Sequence, residues 1–448
     1  MSEPNSPGSR PTSDDSGHEE PTQADTSQDE GGPAGSTGAD DTAYDPRSGS
    51  AILRQVVGGD VVISLLAVVI ALLLGGVLIA FADEDVAKTV SYIFARPADF
   101  FAASWEAVSD AYKALFRGAI FDYEADTFNR KIRPITESMT FATPLILAGL
   151  GIAVGFRAGL FNIGAQGQII VGGIVAAYLG FAYDLPAVLH LLLCILGGAL
   201  GGALWGFIPG ILKARTGANE VIVTIMLNWI AVNLIAYVLT LGKFNASGTG
   251  LRSPQIGPHA GYPPLIPDFL VPGNTFRLHW GFVVAILATI FVWWLLERST
   301  IGFEVRAAGA NPHAARTAGM SVGRVTVLTM VIAGGLAGLA ATSQVLVTGG
   351  SLTAGVAATY GFDAITVALL GRSRPLGTFL AGLLFGAFQS GGTLMQSVTS
   401  TPIDIVFVVQ SVIVLLIAAP PLVRAIFRLP DPDAPPKRGR AATKEAAA

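Results

Sequence analysis

The chain has 448 residues, of which 51% are apolar and only 13% charged, with a formal net charge of −4. Soluble globular domains carry roughly 25% charged residues, so an ordinary soluble enzyme is excluded, and no basic stripe is present to bind nucleic acid. The single cysteine, Cys194, excludes an intrachain disulfide or a cysteine metal cluster.

The charge is segregated along the chain. Residues 1–50 hold eleven acidic side chains and two arginines, and residues 134–423 hold only eight acidic and twelve basic ones. Residues 1–49 have almost no large aliphatic side chains and cannot bury enough apolar surface to offset their ordering entropy, which predicts a disordered acidic tail. That tail has no basic start followed by an apolar core, so it does not read as a signal peptide. Residues 50–429 read as one membrane domain, and 430–448 as a second disordered tail.

A membrane-spanning helix needs about 20 mostly apolar residues. Uncharged runs of this kind occur at Val61–Ala82, Ser138–Phe156, Ala158–Tyr183, Leu185–Leu212, Val221–Gly242 and Leu278–Leu296. Val325–Phe362 is longer than one span needs, and a short, re-entrant piece is expected around Val356–Gly371. Pro375–Ile403 and Ile405–Val423 complete ten segments. The expected fold class is therefore all-α and polytopic, with about ten transmembrane helices, one or more of them broken or re-entrant. Glycines 197, 198, 201, 202 and 206 fall on one span at spacings that suit close helix packing.

Short-loop Lys/Arg bias orients such a chain. With both termini cytoplasmic, the inner loops carry nine basic residues, from Arg157 to Arg374, and the outer loops carry Lys243, Arg252 and Arg277. Residues 83–133 then form an extracytoplasmic segment. Its seven basic and nine acidic residues go against the bias, but long segments translocate largely regardless of charge. Its aromatic and alanine content predicts surface helices over Asp99–Phe116.

Polar groups at membrane depth are the informative positions, because they face a cavity or the bundle interior. The first cluster is Asn162, Gln166 and Gln168, set among Gly159, Gly164 and Gly167, each of which weakens a helix by about 1 kcal/mol relative to Ala. A broken helix lining a substrate path and a tight helix crossing glued by amides are equally open from these residues. The second is Asn219, a candidate N-cap, with Glu220 in the first turn and Asn228 two turns deeper. The third is Asp363 with Phe362, either a path carboxylate or a helix cap.

Residues 298–324 form the largest inner loop. Asn311 suits an N-cap, Pro312 the first helical position and Gly319 the residue past the end, so a two-turn helix is expected at Pro312–Ala318. So short a helix is not stable alone in water, and something must hold it or dock on it; the bland alternative is a solvated connector. No phosphate loop, zinc motif or nucleophile–base–acid set occurs, and the five histidines are scattered. The expectations are no catalytic residue, no metal and no enzyme. Any uphill transport would draw its energy from a partner or an ion gradient.

Several stretches together carry a resemblance. Thr143–Gly151, Phe156–Gln168, Asn219–Asn228, Arg306–Gly319 and Gly361–Arg372 resemble, in this order, the ABC importer permeases for nucleosides and simple sugars, within the wider branched-chain amino acid and ribose permease group. The resemblance covers roughly Val61–Val423. The family usually has Glu where this chain has Gln166, a departure that shifts one polar contact. The resemblance implies a plasma-membrane permease that pairs with a like or paralogous subunit, as homo- or heterodimer. Two cytoplasmic ATPase subunits would hydrolyse ATP, so that no cofactor binds this chain directly, and an extracytoplasmic binding protein would deliver solute. It implies alternating access, with Asn162, Gln166, Gln168, Asn228, Phe362 and Asp363 along the solute path. It makes Pro312–Ala318 a coupling helix, with Arg306, Ala307, Gly309, Asn311, Pro312, Ala315, Arg316 and Gly319 in the coupling region. A branched-chain amino acid or ribose permease is the near alternative, and an ion-driven secondary transporter the alternative of another class.

Overall fold

The computed structural model describes residues 60–246, 248, 252–267, 276–347 and 350–427, so the tails expected at 1–49 and 430–448 lie outside the described residues. Fifteen helices are described: α1 Asp60–Ala82, α2 Glu84–Val90, α3 Pro97–Ala119, α4 Phe128–Arg157, α5 Ala165–Ala182, α6 Ala187–Thr216, α7 Glu220–Val238, α8 Gly281–Arg298, α9 Thr300–Ala310, α10 Pro312–Thr317, α11 Val322–Val345, α12 Tyr360–Leu370, α13 Pro375–Thr399, α14 Asp404–Ala418 and α15 Pro420–Phe427. Among the described residues, β structure is limited to two isolated bridges, Arg252–Thr353 and Pro264–His279.

Seven helices (α4 to α8, α11 and α13) are long and apolar enough to cross a membrane. An eighth span is α1, which meets α2 at a 74° bend. There Asp83 ends the apolar run and caps α2 by accepting from the amides of Asp85 and Val86. Two shorter apolar helices, α12 and α14, bring the total to the ten apolar segments read from the sequence. The chain is thus an all-α polytopic membrane protein.

Two boundaries differ from expectation. α4 begins at Phe128 rather than Ser138, because Thr127 caps it and Pro134 is accommodated inside the helix. The inner loop holds a second helix, α9, that its glycines conceal in the sequence. Ser299 starts α9 by accepting from the amide of Gly302 at 2.9 Å.

Helices α4, α5, α6, α8, α11, α12 and α13 bury one continuous apolar core. A smaller core joins α1, α3, α13 and α14 beside it. The α6–α11 crossing is set by glycine: a Cβ on Gly202 would lie 2.2 Å from the carbonyl of Gly334, and one on Gly338 2.1 Å from that of Gly198. Gly197 and Gly201 instead receive Leu179 and Val175 of α5. One glycine-rich span thus admits neighbours on two sides, and backbone-to-backbone approach supplies the dispersion contact that drives helix association in lipid.

Candidate functional site

The break between α4 and α5 is the first feature of the site. α4 stops at Arg157, Gly159 turns the chain with φ of +70°, and the amide of Leu160 bonds back to the carbonyl of Gly155 at 2.9 Å. Helix resumes only at Ala165. Gln168, in the second turn of α5, lies beside Gly206 of α6. Gly206 is ten residues, or about 15 Å, from the end of its 30-residue helix, which puts this junction about a third of the way along that helix.

Freed backbone groups at that depth need partners, and the amide side chains supply them. Asn162 accepts from the amide of Gly164 at 3.0 Å and donates to Gln168 Oε1 at 3.1 Å; Gln168 Nε2 donates back at 3.3 Å. Asn228 of α7 accepts from the amide of Gly167 at 2.8 Å and donates to the carbonyl of Ile163 at 2.9 Å. It therefore caps the first turn of α5 from a neighbouring helix. Asn162, Gln168 and Asn228 are all buried, and their polar atoms meet the chain itself.

Gln166 points elsewhere. Its Nε2 donates to the carbonyl of Ala358 at 2.7 Å, and its Oε1 accepts from the amide of Gly361 at 3.0 Å. This one side chain thus ties the start of α5 to the start of α12. A Cβ on Gly361 would fall 2.4 Å from the amide nitrogen of Gln166, so only glycine allows the approach. Ala358 holds a left-handed φ of +39° at the same spot, a strained conformation of the sort that clusters at functional sites. In the first turn of α12, Asp363 accepts from the Thr359 hydroxyl at 2.6 Å, while Phe362 is about half exposed (49%). Two half-helix N-termini, each the positive end of its dipole, therefore meet beside a part-exposed carboxylate, an aromatic face and an amide. The sequence shows no sign of Thr359 or Ala358: Thr359 acts locally on Asp363 four residues on, and the role of Ala358 follows from the approach of Gln166, 192 residues away.

The inner loop is built as its cap residues predict. Asn311 accepts from the amides of His313 and Ala314 at 3.0 and 3.1 Å, α10 runs over Pro312–Thr317, and Gly319 takes φ of +83°. Ala315 is buried at 3% exposure and joins the main core. It anchors α10 to the chain, leaving His313, Ala314, Arg316 and Thr317 on the exposed side. Arg306 and Ala307 lie half-buried on α9, and the buried Arg306 Nη1 has no hydrogen-bond partner among the described residues. Gly309 touches the α4 corner so closely that a Cβ would lie 2.2 Å from the Arg157 carbonyl. Arg157 Nε in turn donates to the carbonyl of Ser373, just past α12, at 3.0 Å. The loop therefore rests directly on the broken segment. Asn219 caps α7 through the amides of Val221 and Ile222, and Glu220 pairs with Lys213.

Two larger cavities, of about 520 and 600 Å³, lie among α2, α3, α4 and α13 and contain none of these residues. Among the described residues, no three His, Cys, Asp or Glu side chains converge as a metal site requires.

The sequence profile of a branched-chain amino acid transport system permease component matches residues 135–418. The chain is 39% identical over 330 residues to the guanosine ABC transporter permease protein NupP of Bacillus subtilis, covering 71% of this chain and 88% of that protein. It is 34% identical to the glucose ABC transporter permease protein TsgB13 of Haloferax volcanii, covering 63% and 75%. It is 33% identical to the nucleoside ABC transporter permease protein NupB of Lactococcus lactis, covering 70% and 85%. No solved structure matches.

Proposed function

The chain belongs to the family of branched-chain amino acid transport system permease components, and from that premise we propose that the solute it carries is a nucleoside, with a simple sugar as the second reading. It is a multi-pass membrane permease of an ABC importer and not itself an enzyme, and the ion-driven alternative falls away. The observation that carries the nucleoside reading is the match across nearly all of a guanosine permease; the glucose permease match favours the sugar.

The chain works in this reading with a paralogous permease, two cytoplasmic ATPase subunits that hydrolyse ATP, and an extracytoplasmic binding protein, in a plasma membrane with both termini inside. The solute meets the α5–α12 junction, where Asp363 accepts hydroxyl protons of a ribose and Phe362 offers a face to a base. Asn162, Gln168 and Asn228 hold the junction in place, and Gln166 closes it. The exposed side of α10 receives the ATPase, and Gly309 passes the displacement to Arg157 and Gly159.

The test is uptake by the complete complex in proteoliposomes. Labelled guanosine should accumulate only with ATP and be displaced by other nucleosides. Displacement by glucose alone would select the sugar reading, and accumulation without ATP would reject both. Charge insertion at Ala314 should uncouple ATP hydrolysis from uptake, and unchanged coupling would remove α10 from the ATPase contact.

A further inference from the structure

The segment between α1 and α4 takes no part in the site described above, yet large apolar side chains on it and at the end of α1 are exposed. Phe81 is 80% exposed at the end of α1, Phe94 is fully exposed, and Phe101 and Trp105 are 69% and 75% exposed on α3. Val90, Tyr92 and Phe116 are exposed as well, and Phe81 and Val90 line one shallow groove with Phe100. Contiguous apolar patches of this kind mark contacts with protein or lipid rather than water.

The surface of α3 is divided into three stripes along its 23 residues. Ala111, Ala114 and Gly118 are buried. Gly118 lies so close to α13 that a Cβ there would meet Leu394 and the Gly391 backbone, and Ser390 bonds to its carbonyl at 2.7 Å. Glu106, Asp110, Lys113 and Arg117 form the second stripe and line the 520 Å³ cleft with Asp83 and Asp85. Phe101, Trp105, Tyr112 and Phe116 recur at helical spacing as the third. On that stripe only Tyr112 turns inward, its hydroxyl donating to the Leu72 carbonyl of α1. The charged groups are thus gathered at a cleft, with Arg117 paired to Asp122 and Glu124, while Phe101, Trp105 and Phe116 stay largely exposed among the described residues, Phe101 edge-on to the ring of Phe100.

The aromatic stripe adjoins α1, where Tyr112 reaches the Leu72 carbonyl and Val108 lies beside Gly76. Leu73, Leu74, Val77, Leu78 and Phe81 of α1 are exposed along the outer half of that span. After the 74° bend at Asp83 the chain leaves the span direction and returns through α3. Trp, Tyr and Phe with flanking charge suit the headgroup boundary, where one side is apolar and the other wet.

We propose that α2 and α3 form a collar lying in the membrane interface at the end of α1, with Phe94, Phe101 and Trp105 inserted among the lipids and the Glu106–Asp110–Lys113 stripe facing water. The segment is then an interfacial anchor of the bilayer rather than a domain standing clear of it. The inference rests on α1 being a membrane span and is independent of the solute.

The test uses the full chain in phosphatidylcholine–phosphatidylglycerol vesicles. Cys194, the only cysteine, is removed as Cys194→Ala, and nitroxide labels are placed singly through Phe101→Cys, Trp105→Cys, Glu106→Cys and Asp110→Cys. Collisions with oxygen should exceed those with a water-soluble nickel chelate at 101 and 105, and the order should invert at 106 and 110. Nickel dominance at all four positions would place α3 in water and overturn the proposal. Shielding of 101 and 105 from both reagents would mean that protein covers the stripe, and would overturn it equally. Because a labelled chain can misfold, Trp105→Phe gives a second measurement. It should remove a fraction of tryptophan fluorescence that lipids brominated near the headgroup quench, and an unchanged quenchable fraction would refute the collar.

Discussion

At the residue scale, the amides singled out by their depth turn out to serve two ends. Asn228 satisfies one backbone donor and one acceptor released by the break before α5. Asn228→Ala leaves both buried and unpaired, which should destabilise the chain by about 1–3 kcal/mol. Asn228→Asp keeps only the acceptor and should fall between; melting of the purified protein checks both. Gln166 makes its two bonds across segments distant in sequence, one as donor and one as acceptor. Gln166→Leu should lower uptake more than Gln166→Glu, since a carboxylate still accepts from Gly361 but cannot donate to Ala358. Equal loss in the two variants would count against the bridge. His279, just before α8, is stacked on Tyr262 at 5.3 Å and accepts from the amide of Gly281 at 3.0 Å. Burial first, and then the nearby Arg277, push its imidazole down to about 4. The folded state therefore favours the neutral ring. This stabilisation is full above the ordinary value near 6.5 and is lost as pH falls towards 4. Melting temperature should decline across that window, and His279→Gln should flatten the decline.

At the element scale, glycine decides where helices touch. Gly202→Val forces a side chain into the Gly334 carbonyl, and overpacking of this kind should cost at least about 1–3 kcal/mol. Gly242→Ala, with nothing within 4 Å of the new Cβ, should stay within about 0.5 kcal/mol of wild type. A thermal-shift comparison of the two separates contact from propensity. The same logic explains the concealment of α9: Gly302 and Gly309 weaken its helical signal, yet each is required by backbone pressed against it, from Leu295 and Arg157. The cap of α10 was legible because Asn311, Pro312 and Gly319 act on their own neighbours. The inward turn of Ala315 was not, because it depends on how a six-residue helix seats on the core.

At the scale of the whole molecule, the −4 net charge describes neither part of the chain. The acidic first fifty residues mask a mildly basic membrane body. In the orientation that the short-loop Lys/Arg bias favours, a cysteine at Arg316 should react with an impermeant maleimide only from the cytoplasmic side, one at Lys243 only from the other. Reaction of both from one side would invert the topology. The apolar segments, the polytopic all-α class and the caps at Asn219 and Asn311 were legible in the sequence alone, because hydropathy and capping act over a few neighbouring residues, whereas the break near Gly159 stood there beside an equally open tight helix crossing. Only the tertiary structure decided that Asn162, Gln168 and Asn228 turn inward to the chain itself, that Gln166 reaches Ala358 and Gly361, and that Tyr112 of α3 turns to the Leu72 carbonyl while Trp105 stays exposed. Each of these depends on contacts between segments far apart in the chain, and a contact of that kind leaves no periodicity in either segment to read.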